Sequence, residues 1–98
     1  MAAYLVANYR VTNPDAYKAY PPAVLPTLQK HGAELLVADF NGESLEGEPA
    51  PVTVVVKFAS KEALRAWYDS PEYQDIAYLR KDNTEGNLVC VDEFVMPG

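Results

Sequence analysis

Arg80 is the residue of this 98-residue chain whose chemistry folding alone satisfies least easily. Tyr73, Ile76, Ala77 and Arg80 follow one another at steps of three and four, so on a helix they share one face. That face is the one expected to meet the rest of the protein. A guanidinium there needs an anion, either a carboxylate of the chain such as Asp39 or Glu85 or the carboxylate of a ligand. Tyr17, Tyr20, Trp67, Tyr68 and Tyr73 form a second set. They either fill the core, their hydroxyl and indole N–H groups finding partners at its edge, or line a cleft. Aromatic walls with a few polar tips suit a flat, partly polar ligand. His31, the only histidine, stands beside Gly32 at a helix end, where it can complement terminal carbonyls. Facing a cleft instead, it would be the natural general base, because imidazole titrates near neutral pH.

Other chemistry finds little support. A single histidine excludes a multi-histidine metal site within one chain. No glycine-rich phosphate loop, nucleophile elbow or Cys-His spacing occurs, so neither metal nor cofactor is expected. Cys90 is alone and sits in Leu88-Val-Cys-Val, where it reads as a buried, inert thiol; no intrachain disulfide can form, which fits a reducing compartment. The net charge of −6 argues against nucleic acid and anionic membranes, since both reward clustered Lys and Arg. With no signal-peptide pattern and no apolar run of membrane length, the chain reads as cytoplasmic. A hydrophobic fraction of 49% is that of a folded chain, and the length fits one domain, residues 1–98.

The elements that must position these groups follow from periodicity and capping. Ala3 to Val11 alternates as a first strand. Asn13-Pro14-Asp15 starts a short helix carrying Tyr17 and Tyr20. Pro21-Pro22 interrupts it, and a second helical piece, kinked by Pro26, runs roughly from Ala23 to His31 and ends at Gly32. Glu34 to Phe40 is the second strand. Asn41-Gly42 signals a tight hairpin turn, with residues 43–47 as a short return strand or an extended arm. Val52 to Phe58 is a β-branched strand. Ser60 caps the next helix, which bears Leu64, Trp67 and Tyr68; Ser70-Pro71 restarts it and carries it on to Arg80. After a turn at Asn83-Thr-Glu-Gly, Leu88 to Val95 forms the last strand.

The order is that of an α+β, ferredoxin-like β-α-β-β-α-β fold: an antiparallel sheet with helices on one face. The other face should then be polar in a monomer. Here Val55 lies between Thr53 and Lys57, Tyr4 and Val6 alternate with Leu5 and Ala7, and Leu88 to Val91 is apolar on both sides. A second surface therefore covers that face, most economically another copy of the chain.

Several stretches also match a known family: Asn13-Pro-Asp-Ala-Tyr-Lys-Ala-Tyr, Pro26-Thr-Leu-Gln-Lys-His-Gly, Leu45-Glu-Gly, Phe58-Ala-Ser-Lys-Glu-Ala-Leu, Ala66-Trp-Tyr-Asp-Ser-Pro-Glu-Tyr, Leu79-Arg and Glu85-Gly. The chain resembles the bacterial family known as domain of unknown function 1330, of the dimeric α+β-barrel superfamily. That resemblance implies two ferredoxin-like subunits packed sheet to sheet. Relatives in the superfamily include cofactor-free monooxygenases, isomerases and small-ligand sensors. Members often carry Arg near position 53 and Glu near 57, where this chain has Thr53 and Lys57, so a role of that pair does not transfer.

The function expected from residues and resemblance together is a homodimer binding a small aromatic or acidic molecule between helices and sheet, which could also act as a cofactor-independent enzyme. The alternative is a non-catalytic structural or sensor-type dimer with no dedicated active site, its aromatic cluster being core. Arg80 would pair with an acidic or enolate group, Tyr17, Tyr20, Trp67, Tyr68 and Tyr73 would line the site, and His31 or a tyrosine would move a proton.

Overall fold

The computed structural model describes all residues, 1–98. Four strands form one antiparallel sheet: β1 (Ala3–Val11), β2 (Glu34–Asp39), β3 (Val52–Phe58) and β4 (Thr84–Asp92), in the order β2-β3-β1-β4. The helices are α1 (Pro14–Tyr17), α2 (Tyr20–Lys30), α3 (Lys61–Tyr68), α4 (Pro71–Gln74) and α5 (Tyr78–Lys81). Register places Leu35, Val56, Leu5 and Cys90 in one row across the sheet, and Ala38, Val54, Ala7 and Leu88 in the next. The side chains of β1, β3 and β4 in these rows meet Tyr17, Tyr20, Val24, Leu28, Leu64, Trp67, Tyr73 and Ala77 in one core, while Leu35 and Ala38 of the edge strand β2 stay exposed.

Capping fixes the entry of each helix that follows a turn. The Ser60 and Ser70 hydroxyls accept from the Ala63 and Tyr73 N–H groups at 3.0 and 3.2 Å. Each satisfies one of the donors a helix start leaves orphaned. The restarted helix is not continuous to Arg80, however. It stops at Gln74 and resumes at Tyr78, so Arg80 belongs to a separate turn. The second helical piece also starts earlier than Ala23. Pro21 and Pro22 occupy the first turn of α2, where no N–H is required, so they open the helix instead of preceding it.

The expected tight hairpin at Asn41-Gly42 does not form, and residues 43–47 make no strand. Neither Asn41 nor Gly42 takes the positive φ that a type I′ turn demands. Instead Asp39 Oδ1 accepts from the Asn41 N–H at 2.8 Å, and the Gly42 N–H donates to the Pro51 carbonyl at 2.9 Å. The chain between them leaves the sheet as an exposed arm, with Leu45 92% accessible. Its returning end is pinned by Asn8, whose side chain bonds both the N–H and the carbonyl of Ala50.

The outer sheet face is bare. Val37, Val89 and Val91 stand exposed there beside the partly exposed Tyr4, Val6 and Val55. Cys90, expected to be buried, is only half-buried, because β4 is an edge strand whose outer margin the helices cover incompletely.

Candidate ligand-binding site

Between α2 and the sheet lies a cleft of about 120 Å³. Val24 and Leu28 of α2 roof it, and Leu5, Ala7, Val54, Val56 and Leu88 form its floor. Leu25, Leu35 and Phe40, all substantially exposed, surround its mouth. Arg80 is the only charged residue in the lining, and no carboxylate, histidine or thiol joins it. The other lining residues with polar side-chain groups are Tyr9, Tyr17, Tyr20 and Trp67.

Arg80 is 8% exposed, yet no carboxylate of the chain pairs with it. Neither Asp39 nor Glu85 reaches it; Asp39 caps the turn after β2 instead. Its Nε–H donates to the Tyr73 hydroxyl at 3.3 Å. Burial works against its charge, but the Tyr73 and Tyr20 oxygens turned toward it hold its pKa above the ordinary arginine value. It is therefore a cation. The guanidinium borders the cleft with only phenol oxygens, those of Tyr73 and Tyr20, beside it.

The tyrosines form two hydroxyl pairs around this cation: Tyr9 with Tyr17 at 2.6 Å and Tyr20 with Tyr73 at 3.0 Å. Burial pushes the phenols of Tyr9, Tyr17 and Tyr20 up, and the Arg80 charge offsets this only in part. All three are neutral donors near pH 7, and none is poised to act as a phenolate base. In the Tyr20–Tyr73 pair two protons serve one bond, so one O–H remains for a further acceptor. In the first pair two protons share one bond, so a second O–H is also free. The inner end of the cleft thus offers a guanidinium and two phenol donors, with no strong acceptor left over.

The other sequence-selected residues fall around this centre. Trp67 lines the inner wall and donates its Nε1–H to the Thr27 hydroxyl at 2.9 Å. Tyr68 lies outside the lining; it stacks on Tyr73 at 5.6 Å and carries the Lys81 ammonium over its ring. His31 does not face the cleft. Its Nε2 lies 3.2 Å from Glu72 Oε1, which Lys30 also approaches at 3.0 Å, so the imidazole ties α2 to α4. Hydrogen bonds at its own N-terminal backbone, together with Lys30 and His31, lower the Glu72 carboxyl to about 2. Sequence reasoning passed over Tyr9 and Phe40. Strand alternation already put Tyr9 on the same side as Leu5 and Ala7, which was a usable signal. Phe40 gave none, because its place depends on how the chain leaves β2.

The family model described as "Domain of unknown function (DUF1330)" matches residues 2–94. No curated protein matches the chain. Among solved structures, the chain is similar to RPA0582, a protein of unknown function from Rhodopseudomonas palustris, with a TM-score of 0.76 and 16% identity, covering 97% of this chain and 84% of that one. It is also similar to SnoaB, a cofactor-independent oxygenase from Streptomyces nogalater, with a TM-score of 0.61 and 11% identity over 97% and 95% of the two chains. Rv0793 from Mycobacterium tuberculosis gives a TM-score of 0.59 at 17% identity, with both chains fully covered. At these identities the likeness concerns the fold, a ferredoxin-like α+β sandwich of the kind seen in antibiotic biosynthesis monooxygenase.

Proposed function

The chain belongs to the DUF1330 family, and we propose that it is a homodimer that binds one small organic acid per subunit in the cleft between α2 and the sheet. The observation that carries this reading is the buried guanidinium of Arg80 without a carboxylate partner. Taking such a charge out of water is expensive unless an anion and further hydrogen bonds compensate it. A ligand carboxylate supplies the anion, and the free Tyr hydroxyls supply the remaining contacts. Tyr73, behind the wall, positions the guanidinium; Trp67 and Tyr68 hold Tyr73 by stacking.

The homodimer rests on the bare outer face. Tyr4, Val6, Val37, Val55, Val89 and Val91 form an apolar stripe there, which a second copy of the chain would cover.

A second reading keeps the same site and adds turnover. The cluster of donors beside a dry apolar body would stabilise the enolate of a substrate that itself reduces dioxygen, in the manner that the name of the SnoaB neighbour suggests. Oxygen uptake with enolisable aromatic acids tests that addition.

Binding itself is tested by thermal shift with a panel of small carboxylates, using amines and alcohols as controls. At ten times its Kd a ligand stabilises by about 1.4 kcal/mol, or about 6–11 °C in a domain of this size. Carboxylates are expected to raise Tm in the native chain and not in Arg80→Met. Equal stabilisation of both proteins, or none by any acid, would refute the reading.

A further inference from the structure

Resting on the reading of the cleft as an acid-binding site, we infer that its ligand is a monocarboxylate whose body is about one six-membered ring and carries no second polar group. Three observations converge on this class: the charge and donor character of the inner end, the apolar character of everything else, and the size of the space.

The inner end is cationic and holds no anionic acceptor. Arg80 contributes its guanidinium, while the Tyr20–Tyr73 and Tyr9–Tyr17 pairs each have two protons for one bond, and the only side-chain acceptors are neutral phenol oxygens. A carboxylate has about four lone-pair sites and no proton to place, so it takes all of these bonds. An ammonium would add a second cation beside Arg80, and an amide or a hydroxyl would leave the guanidinium charge uncompensated. The charge count is equally restrictive. Arg80 is the one cation in the lining, so a monoanion neutralises it, whereas a phosphate dianion leaves a negative charge buried among apolar side chains.

No second pole exists. Away from Arg80 and the tyrosine hydroxyls the cleft is walled by aliphatic side chains and the Trp67 ring, and its mouth is framed by Leu25, Leu35 and Phe40. The indole N–H is already used on Thr27, so even Trp67 offers nothing to a polar substituent. A hydroxyl or second carboxylate on the ligand body would lose its water and gain no partner. The volume sets the size. A dry cavity of about 150 Å³ takes a benzene ring. This cleft, at about 120 Å³ and open at one end, takes one ring and excludes fused systems unless they protrude past Phe40.

The test is a calorimetric series on the full chain with benzoate, cyclohexanecarboxylate, 4-hydroxybenzoate, terephthalate, phenyl phosphate and benzamide. Methyl NMR shifts of Val24, Leu28 and Val54 report occupancy of the cleft. Benzoate and cyclohexanecarboxylate are expected to bind within about tenfold of each other, since neither the floor nor the roof demands aromaticity. Adding the 4-hydroxyl should weaken binding about ten- to a hundredfold. Terephthalate, phenyl phosphate and benzamide should bind at least about a hundredfold more weakly than benzoate, the first two for surplus charge and the last for leaving Arg80 unpaired. Terephthalate, phenyl phosphate or 4-hydroxybenzoate binding as tightly as benzoate would overturn this ligand class while leaving acid binding intact. Failure of every carboxylate to bind would overturn the acid-binding reading on which it stands.

Discussion

At the scale of single residues, the account turns on side chains whose polar groups are either fully matched or conspicuously unmatched. Arg80 is unmatched, so its replacement separates binding from folding. Arg80→Met removes a buried charge and keeps most of the volume. It should raise stability by about 1–3 kcal/mol in unliganded protein, since apolar replacement of buried charge is commonly stabilising. A fall in the urea midpoint would mean that Arg80 is structural. The Trp67–Thr27 bond is the matched counterpart. Thr27→Val leaves a buried indole N–H without an acceptor and should cost about 1–3 kcal/mol, read as a Tm drop of about 4–8 °C per kcal/mol. Glu72 sets a pH dependence. Its folded pKa, held to about 2, lies below its usual carboxylate value, so its stabilising contribution is present above that usual value and is lost as pH falls toward 2. The stability difference between native protein and Glu72→Gln should therefore be present above the usual carboxylate range and vanish near pH 2. A difference that persists undiminished at pH 2 would contradict the assignment of Glu72 as the lowered carboxyl. Sequence alone selected Arg80 and Tyr73 on an expectation of one helical face, together with Tyr17, Tyr20 and Trp67; Arg80 does bond Tyr73, although the helix between them is broken. Sequence left open whether a carboxylate of the chain met the guanidinium, since that depends on distances across the fold.

At the scale of elements, β1 and β4 do more than pair. Gly86 faces Tyr9 across the sheet with φ of +154°, and a Cβ there would lie 2.3 Å from the Asn8 carbonyl oxygen and 2.5 Å from Tyr9 Cα. Backbone atoms cannot yield as a flexible side chain would, so the glycine is what allows β4 to approach β1 at Tyr9. Gly86→Ala should cost about 2–4 kcal/mol and weaken acid binding together with stability, both measurable in one thermal-shift series. Unchanged binding would show that Tyr9 does not depend on that close approach. Element type and order were readable from periodicity and caps: the strands alternate, and Asn13, Ser60 and Ser70 announce three helix starts. Less readable were the places where two local signals competed. Pro21 and Pro22 look like breakers by composition, yet a helix accepts them in its first turn. Asn41-Gly42 looks like a hairpin, yet the Asp39 side chain and the Pro51 carbonyl capture its N–H groups and send the chain out as an arm. The break between Gln74 and Tyr78 carries no proline or glycine to mark it.

At the scale of the whole molecule, the chain is a slab. Its Cα extents are 47 × 37 × 16 Å and its radius of gyration is 13.9 Å, against about 12.6 Å for a compact domain of this length. One helix layer on one sheet accounts for the thin dimension, and the exposed arm of residues 43–50 for part of the spread. The bare sheet face calls for a partner, and light scattering at micromolar concentration should give twice the 10.8 kDa chain mass. Val6→Lys, placing a charge on the central strand β1 in the middle of that face, should return the protein to a monomer, whereas a monodisperse native monomer would defeat the homodimer. The cleft lies on the opposite side of the sheet, so acid binding should persist in that variant. The central claim, that an organic acid meets Arg80 in this cleft, is tested most directly by calorimetric titration of benzoate into the native chain and into folded Arg80→Met. The account predicts one benzoate per chain in the native protein and no measurable heat of binding in the variant; equal binding by both would contradict it.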